Sequence, residues 1–232
     1  MMNMPTAIER RRREQAATPT PDKRSRRSHE QRSAETQSAL VEAAIEMLRE
    51  VGYAGVTTAA VARRAGCTTG AMHHHFGSKE ELMLAVLTRL SLEFEALYPA
   101  FKLLADLPLP RRCEKVVEML ADYYIGARYV AIWELYVGTR CERSLNEPCV
   151  KNRKRVVSKM ESVWLQIFAD VEATKADLVA LLRFTLTFLR SLGLDHTLGT
   201  DSGATAAQRE ILRATLMERM SASSSARKGG RG

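Results

Sequence analysis

The sequence predicts an all-α protein of about nine helices, and three observations carry that prediction. Apolar residues recur at steps of three and four over long stretches, as they do along one face of an α-helix. No stretch reads convincingly as a strand. Two short helical segments flank the tight turn "AGCT", a pairing peculiar to helical supersecondary structure.

In the first helix, Leu40, Ala43, Ala44, Met47, Leu48 and Val51 form one stripe, and Gly52 stands where a helix should stop. The loop "GYAGVT" follows. Thr57 or Thr58 can cap the second helix, "TAAVARRAG", which Gly66 ends. Thr68 can cap the third, "TTGAMHHHF", and Gly77-Ser78 breaks it. The fourth opens at Lys79-Glu80-Glu81 and runs to about Tyr98, followed by the loop "LPLP" with Pro110 placed to start the next helix. Beyond it lie "CEKVVEMLADYY", interrupted near Gly126, then "RYVAIWELYVGTR". A long helix from about Asn146 carries Pro148 in its first turn. The last two segments are Thr174 to about His196 and Thr205 to about Met220.

With 45% hydrophobic residues over 232 positions, the chain can bury a sizeable core. No apolar run is long enough to span a membrane, and the charged N-terminus carries no secretory pattern, so a cytoplasmic protein is expected. Cys67, Cys113, Cys141 and Cys149 form no C-x-x-C and read as free thiols. The formal charge of +8 sits at the ends. Met1–Arg32 holds nine Lys/Arg against four Asp/Glu, the tail adds Arg227, Lys228 and Arg231, and residues 33–226 hold 23 of each sign. Both ends read as disordered. Such basic arms are either a footprint for nucleic acid or solubilising tails.

The second and third helices, about two turns each around a Gly-containing turn, are the helix-turn-helix arrangement, whose second helix can enter a DNA major groove. Val61, Ala62, Ala65, Met72 and Phe76 supply the apolar lock. Thr69, Gly70, Ala71, His73 and His74 are left to face outward, with hydroxyls and imidazoles able to reach phosphates or base edges. Lys79 at the start of the fourth helix can attract a phosphate.

These residues resemble the TetR family of bacterial transcriptional regulators. Its pattern is a Thr or Ser cap, then I/V-A-x-x-A-G-V-S-x-G-x-hydrophobic-Y-x-H-F-x-x-K-x-x-L. Thr58 matches the cap, Val61-Ala62 the I-A pair, Ala65-Gly66 the turn, Thr68 the Ser and Gly70 the Gly. His75-Phe76 match H-F, Lys79 the Lys and Leu82 the Leu. Cys67 replaces the usual Val, and His73 the usual Tyr that reaches a phosphate. "WELYVGTR" and "FLRSLGL" are similar to phrases of the family's C-terminal domains. The resemblance implies a basic arm over 1–32, a DNA-binding domain over 33–93 with its helix-turn-helix at about 57–76, an effector-binding and dimerisation domain over 94–220, and a tail over 221–232. It implies DNA contacts by Thr58, Thr68, Thr69, Gly70, Ala71, His73, His74 and Lys79.

The triplet His73-His74-His75 does not read as a metal site. Consecutive helical residues point about 100° apart, so the three rings cannot converge on one ion. No metal or other cofactor is expected, and no catalytic motif occurs, so the chain reads as a non-enzyme. "KNRKR" at Lys151–Arg155 is either a solvated face or a second basic patch.

Leu178–Leu194 carries only Arg183 and Arg190 as charges, so this helix should bury more than one face. In the resembling family the last two helices pair with their copies, which implies a homodimer through Leu178, Leu182, Leu189, Leu212 and Leu216. The family's usual effector pocket implies candidates Tyr123, Trp133, Tyr136, Arg140, Trp164, Phe168, Phe184 and Phe188, though such aromatics also serve as ordinary core. The function implied is a dimeric repressor that binds double-stranded operator DNA and is released by an unknown small molecule. The alternatives are an activator or effector-independent DNA-binding protein, and a helical enzyme or carrier.

Overall fold

The computed structural model describes residues 23–199 and 202–228; the basic arm as far as residue 22 and the last four residues lie outside the described residues. The elements are α1 (Lys23–Gly55), α2 (Thr58–Arg64), α3 (Thr69–His75), α4 (Lys79–Glu95), α5 (Tyr98–Leu103), α6 (Leu109–Tyr124), α7 (Ala127–Gly138), α8 (Arg143–Ile167), α9 (Lys175–Thr197) and α10 (Ser202–Lys228), with a 3₁₀ turn at Leu104–Asp106. No strand occurs among the described residues. The fold is the all-α one the sequence predicts. The short α5 and the 3₁₀ turn are additional, because Phe101 and Leu104 fold that connection back into the core.

One compact unit ends at Ala39 and a second begins at Leu40. The first is helical from Lys23, where an unstructured arm through Arg32 is expected. The reason is local: Lys23 to Val51 contains no Gly or Pro and is rich in Arg, Glu and Gln, which lose little freedom in a helix. Gln31 also donates to Glu35 one turn on, at 3.3 Å. α10 likewise runs past Met220 through "SASSSARK", a stretch without Gly or Pro, to Lys228, where a disordered tail is expected.

In the second unit, Leu40, Ala44 and Leu48 are fully buried while Val51, at 53% exposed, leaves the predicted stripe. Gly52 breaks the helix at φ 68°, as its position predicts, and one further turn runs to Gly55. Helix α7 packs against α4, α6, α8 and α9. α6 also meets α9 and α10, and α8 meets α4 and α5. The buried Arg112 staples the start of α6 to the end of α8: it donates to the Leu107 carbonyl at 2.8 Å and the Ile167 carbonyl at 2.9 Å, and pairs with Asp170. That guanidinium holds the Asp170 carboxyl below its ordinary range.

Where α9 crosses the α6–α7 turn, Gly193 is required for space. A Cβ there would stand 2.1 Å from the Tyr124 carbonyl oxygen, a backbone atom that cannot rotate away. Gly193→Ala should therefore destabilise the protein by about 1–3 kcal/mol or more. Ser191→Ala on the exposed face should change stability little; urea unfolding of the two variants checks this contrast.

Candidate DNA-binding surface and effector cavity

The helix-turn-helix is built from its caps. Thr57, not Thr58, caps α2: its Oγ1 accepts from the Ala60 N–H at 3.2 Å, and Thr58 is the first helical residue. Thr68 caps α3 by accepting from the Ala71 N–H at 3.1 Å. Ser78 caps α4 by accepting from the Glu81 N–H at 3.2 Å, and the Glu81 carboxylate reaches back to the Gly77 N–H at 2.9 Å. In the turn Gly66 takes φ +69°, where no side chain would meet an obstacle, so backbone conformation alone selects glycine. Val61, Ala62, Met72 and Phe76 are buried, and Ala65 and Cys67 are partly buried against them. Thr68, Thr69, Gly70, His73 and His74 are exposed, Thr58 and Ala71 half-buried. His75 is half-buried with its ring edge-on to His74, the centroids 5.3 Å apart.

Lys79 has a different place from the one its sequence position suggests. Its Nζ donates to the Tyr53 carbonyl at 3.0 Å and sits 4.1 Å from that ring's centre. Burial pushes the Lys79 ammonium pKa down. The ammonium is thus committed to the end of α1.

Tyr53 joins this domain to the helices behind it. Its N–H donates to Glu134 of α7 at 3.1 Å, and its hydroxyl donates to Glu142, just beyond α7, at 2.7 Å. Burial first, then the bond to Glu142, raise the phenol pKa above its usual range. The residue lies so near Gly138 that a Cβ there would come within 2.4 Å of the Tyr53 Cβ. At the other end of α7, Arg128 donates to Glu93 of α4 at 2.8 Å and also pairs with Glu42 of α1. That bond to Arg128 holds the Glu42 carboxyl below its ordinary range. α7 is therefore fastened to α1 at both ends.

The opposite face of α7 presents Tyr129, Ile132 and Tyr136 to a cavity of about 30 Å³. Phe94, Tyr123 and Tyr124 complete its aromatic wall. The rings are close: Phe94 to Tyr123 is 4.3 Å between centres and Tyr124 to Tyr129 is 4.7 Å. Burial raises the Tyr123 and Tyr129 phenol pKa values, so both stay uncharged at neutral pH. Arg153 and Arg190 form part of the same wall. They also line an adjoining groove of about 460 Å³ between α8 and α9.

Of the pocket candidates read from the sequence, Tyr123 and Tyr136 line this cavity. The others do not. Trp164 and Phe168 are fully buried and pack on each other, 4.6 Å between centres, as core beside Arg112. Trp133 is half-buried off the cavity wall, and Arg140 is exposed beyond the end of α7. Phe184 is exposed and Phe188 half-buried on α9. Tyr124, next to Tyr123, also lines it, while Phe94, Tyr129, Arg153 and Arg190 were not legible as pocket residues. A signal existed for Tyr129, which shares a helical face with Ile132 and Tyr136 at spacings of three and four.

The five leucines expected at a dimer interface are also displaced. Leu178, Leu182, Leu189, Leu212 and Leu216 are all buried by their own chain, so they face the core and not a partner. The "KNRKR" run divides as well: Arg155, together with Lys159, pairs with Glu95, while Arg153 and Lys154 line the groove.

The joint predicts a graded response. Tyr53→Ala should cost about 3–5 kcal/mol, as loss of a buried aromatic ring does. Tyr53→Phe, which loses only the bond to Glu142, should cost about 0.5–1.5 kcal/mol; thermal and urea unfolding read both. The Glu42 carboxyl is depressed on folding, so its contribution is complete above the ordinary carboxylate range and is lost as pH falls through the depressed value. Arg128→Gln should abolish that part of the acid dependence, measured as stability against pH.

Residues 40–86 match the family model for bacterial regulatory proteins of the tetR family. The chain is 28% identical over 175 residues to the HTH-type transcriptional regulator CymR of Pseudomonas putida, covering 73% of this chain and 83% of that one. It is 31% identical over 122 residues to an uncharacterized HTH-type transcriptional regulator of Mycobacterium tuberculosis, covering 52% of this chain and 62% of that protein. Among solved structures, a transcriptional regulator from Aquifex aeolicus shares the fold with TM-score 0.57 at 21% identity, covering 78% of this chain and 97% of that one. The multidrug binding protein EbrR complexed with ethidium does so with TM-score 0.53 at 22% identity, covering 78% and 97%. Residues 40–86 thus carry the helix-turn-helix segment of the tetR family of bacterial regulatory proteins, and the chain is similar in sequence and in its all-helical fold to transcriptional regulators of that kind.

Proposed function

We propose that the chain works in the cytoplasm as a homodimeric repressor, binding and not catalysing, and that a small molecule entering the tyrosine-lined cavity releases it from its operator. One observation carries this reading: a single helix, α7, forms a wall of the cavity with Tyr129, Ile132 and Tyr136 and holds the DNA-binding domain with Arg128, Glu134 and Gly138. A ligand that moves α7 shifts α1, and with it α3. Binding of ethidium by EbrR, a protein of the same fold, accords with an effector role for such a domain.

In this reading α3 supplies sequence choice through the exposed Thr69, Gly70, His73 and His74, while Thr58, Thr68 and Ala71 shape the approach of the backbone. Lys79 acts indirectly, by holding Tyr53. The basic arm before α1 adds sequence-independent affinity.

The dimer face is the exposed apolar row of α9 and α10. Phe184 (48% exposed) and Leu198 (77%) lie on α9 and just past its end, and Ile211 (62%) lies on α10. On the helical wheel Phe184, Phe188, Leu194 and Leu198 fall within an arc of about 120°. A two-fold dimer places its recognition helices for paired half-sites.

The test begins with an operator selected from random duplex DNA. Thr69→Ala and His74→Ala should each weaken binding to it by about 1–3 kcal/mol by fluorescence anisotropy, with unchanged melting. Normal operator affinity in both variants would show that α3 does not read the sequence. Phe184→Glu with Leu198→Glu should yield a folded monomer in sedimentation, because both side chains are exposed in the single chain. Deleting residues 1–22 should flatten the slope of log affinity against log salt by roughly 0.9 for each phosphate that the arm neutralises.

A further inference from the structure

We propose that the effector is an aromatic carboxylate, its anionic group paired with Arg190 and Arg153 where the groove opens into the cavity and its ring received by the tyrosine wall. This rests on the effector role assigned above to that cavity and adds the chemical class of the ligand.

The first support is an imbalance of charge. The buried Arg112 and the half-buried Arg128 both have acidic partners: Arg112 has Asp170, and Arg128 has Glu42 and Glu93. Arg190 and Arg153 differ. Among the described residues, no carboxylate lies within ion-pair distance of either. Arg153 is exposed at the groove, whereas Arg190 is half-buried and rests 5.4 Å from the centre of the Tyr124 ring. The groove adds Lys154 and Arg183 to these two, against Glu161 alone, and Glu161 is already held by Arg183 at 3.1 Å. A guanidinium withdrawn from water without a counter-charge is uncommon and suits a carboxylate that arrives with the ligand, since its planar fork can donate two parallel hydrogen bonds.

Polarity then sets the orientation. Outside Arg190 the groove is polar and charged, with Lys154, Ser158, Glu161 and Arg183. Inside, the wall is the rings of Phe94, Tyr123, Tyr124 and Tyr129, whose phenols stay neutral and offer no competing negative charge. An apolar body therefore goes inward and its charge stays at the arginines. Tilted and edge-on ring contacts already fill this wall, and a flat aromatic body can join them. The cavity holds about 30 Å³, the space of one water, so a ring must push the wall outward. Tyr129 and Tyr136 are the parts of that wall carried by α7. The same displacement would load the Tyr53 joint.

The full chain should be titrated calorimetrically with 2-naphthoate, its neutral match 2-naphthamide and the cation 2-naphthylmethylammonium. Naphthoate should bind at least about tenfold more tightly than the amide, the loss expected for one charge-assisted hydrogen bond, with the cation weakest. Arg190→Gln should bring acid and amide to similar affinity, and Arg190→Lys should keep part of the preference. Retained amide binding and melting in Arg190→Gln would show that its fold is intact. Equal binding of acid and amide by the wild type, or an undiminished preference in Arg190→Gln, would overturn the proposal. If the amide or the cation binds best and releases operator DNA, the effector role stands and the anionic class falls. If no probe binds while operator binding is normal, both fall.

Discussion

The contact on which this structure turns is Tyr53 against α7. Its N–H, its carbonyl and its hydroxyl each have a partner from a different place: Glu134, Lys79 and Glu142. Each polar group of Tyr53 is thereby satisfied, which matters because an unpaired buried donor or acceptor costs about 1–3 kcal/mol. The approach is possible only because residue 138 lacks a side chain. Gly52, left-handed at φ 68°, turns the chain out of α1 so that Tyr53 can present itself. A short stretch, "VGYAG", therefore both ends the first helix and ties the DNA-binding domain to the cavity-bearing helices.

α7 can serve two sides because a helix repeats its faces at different residues. Tyr129, Ile132 and Tyr136 occupy one face; Glu134 and Gly138, with Arg128 a turn and a half earlier, reach toward α1 and α4. Arg128 and Glu134, about 9 Å apart at the helical rise of 1.5 Å per residue, hold the helix at two points, where a single contact would let it pivot. In the proposed function, coupling through such a rigid element needs only a difference in how well ligand-bound and ligand-free cavities fit the joint.

The charge of the DNA-binding domain also reads differently once its side chains are placed. The sequence from Ser33 to Glu81 has four basic and six acidic residues, a poor balance for meeting a polyanion. Several of those acids are already engaged. Glu42 pairs with Arg128, Glu46 and Glu50 with Arg64, and Glu81 accepts from the Gly77 N–H. Their charge is spent on holding helices together. The exposed part of α3, with its threonines, glycine and imidazoles, carries no carboxylate.

The sequence by itself determined what local physics decides. Helical periodicity identified nine of the helices, and Thr68 and Ser78 capped the helices they were expected to cap. Gly66 ended α2, and the outward-facing row of α3 was readable from a helical wheel anchored on Met72 and Phe76. Periodicity shows that a face is apolar, but not which neighbour covers it. Only the tertiary structure decided that Leu178, Leu182 and Leu189 face the chain's own core while Phe184 stays exposed. It also decided that Trp164 is packing and Tyr129 is cavity wall, and that Lys79 serves Tyr53. The same limit hid Arg190 and Arg153, which lie 37 residues apart on different helices and become a pair of cations at one opening only when α8 and α9 pack together.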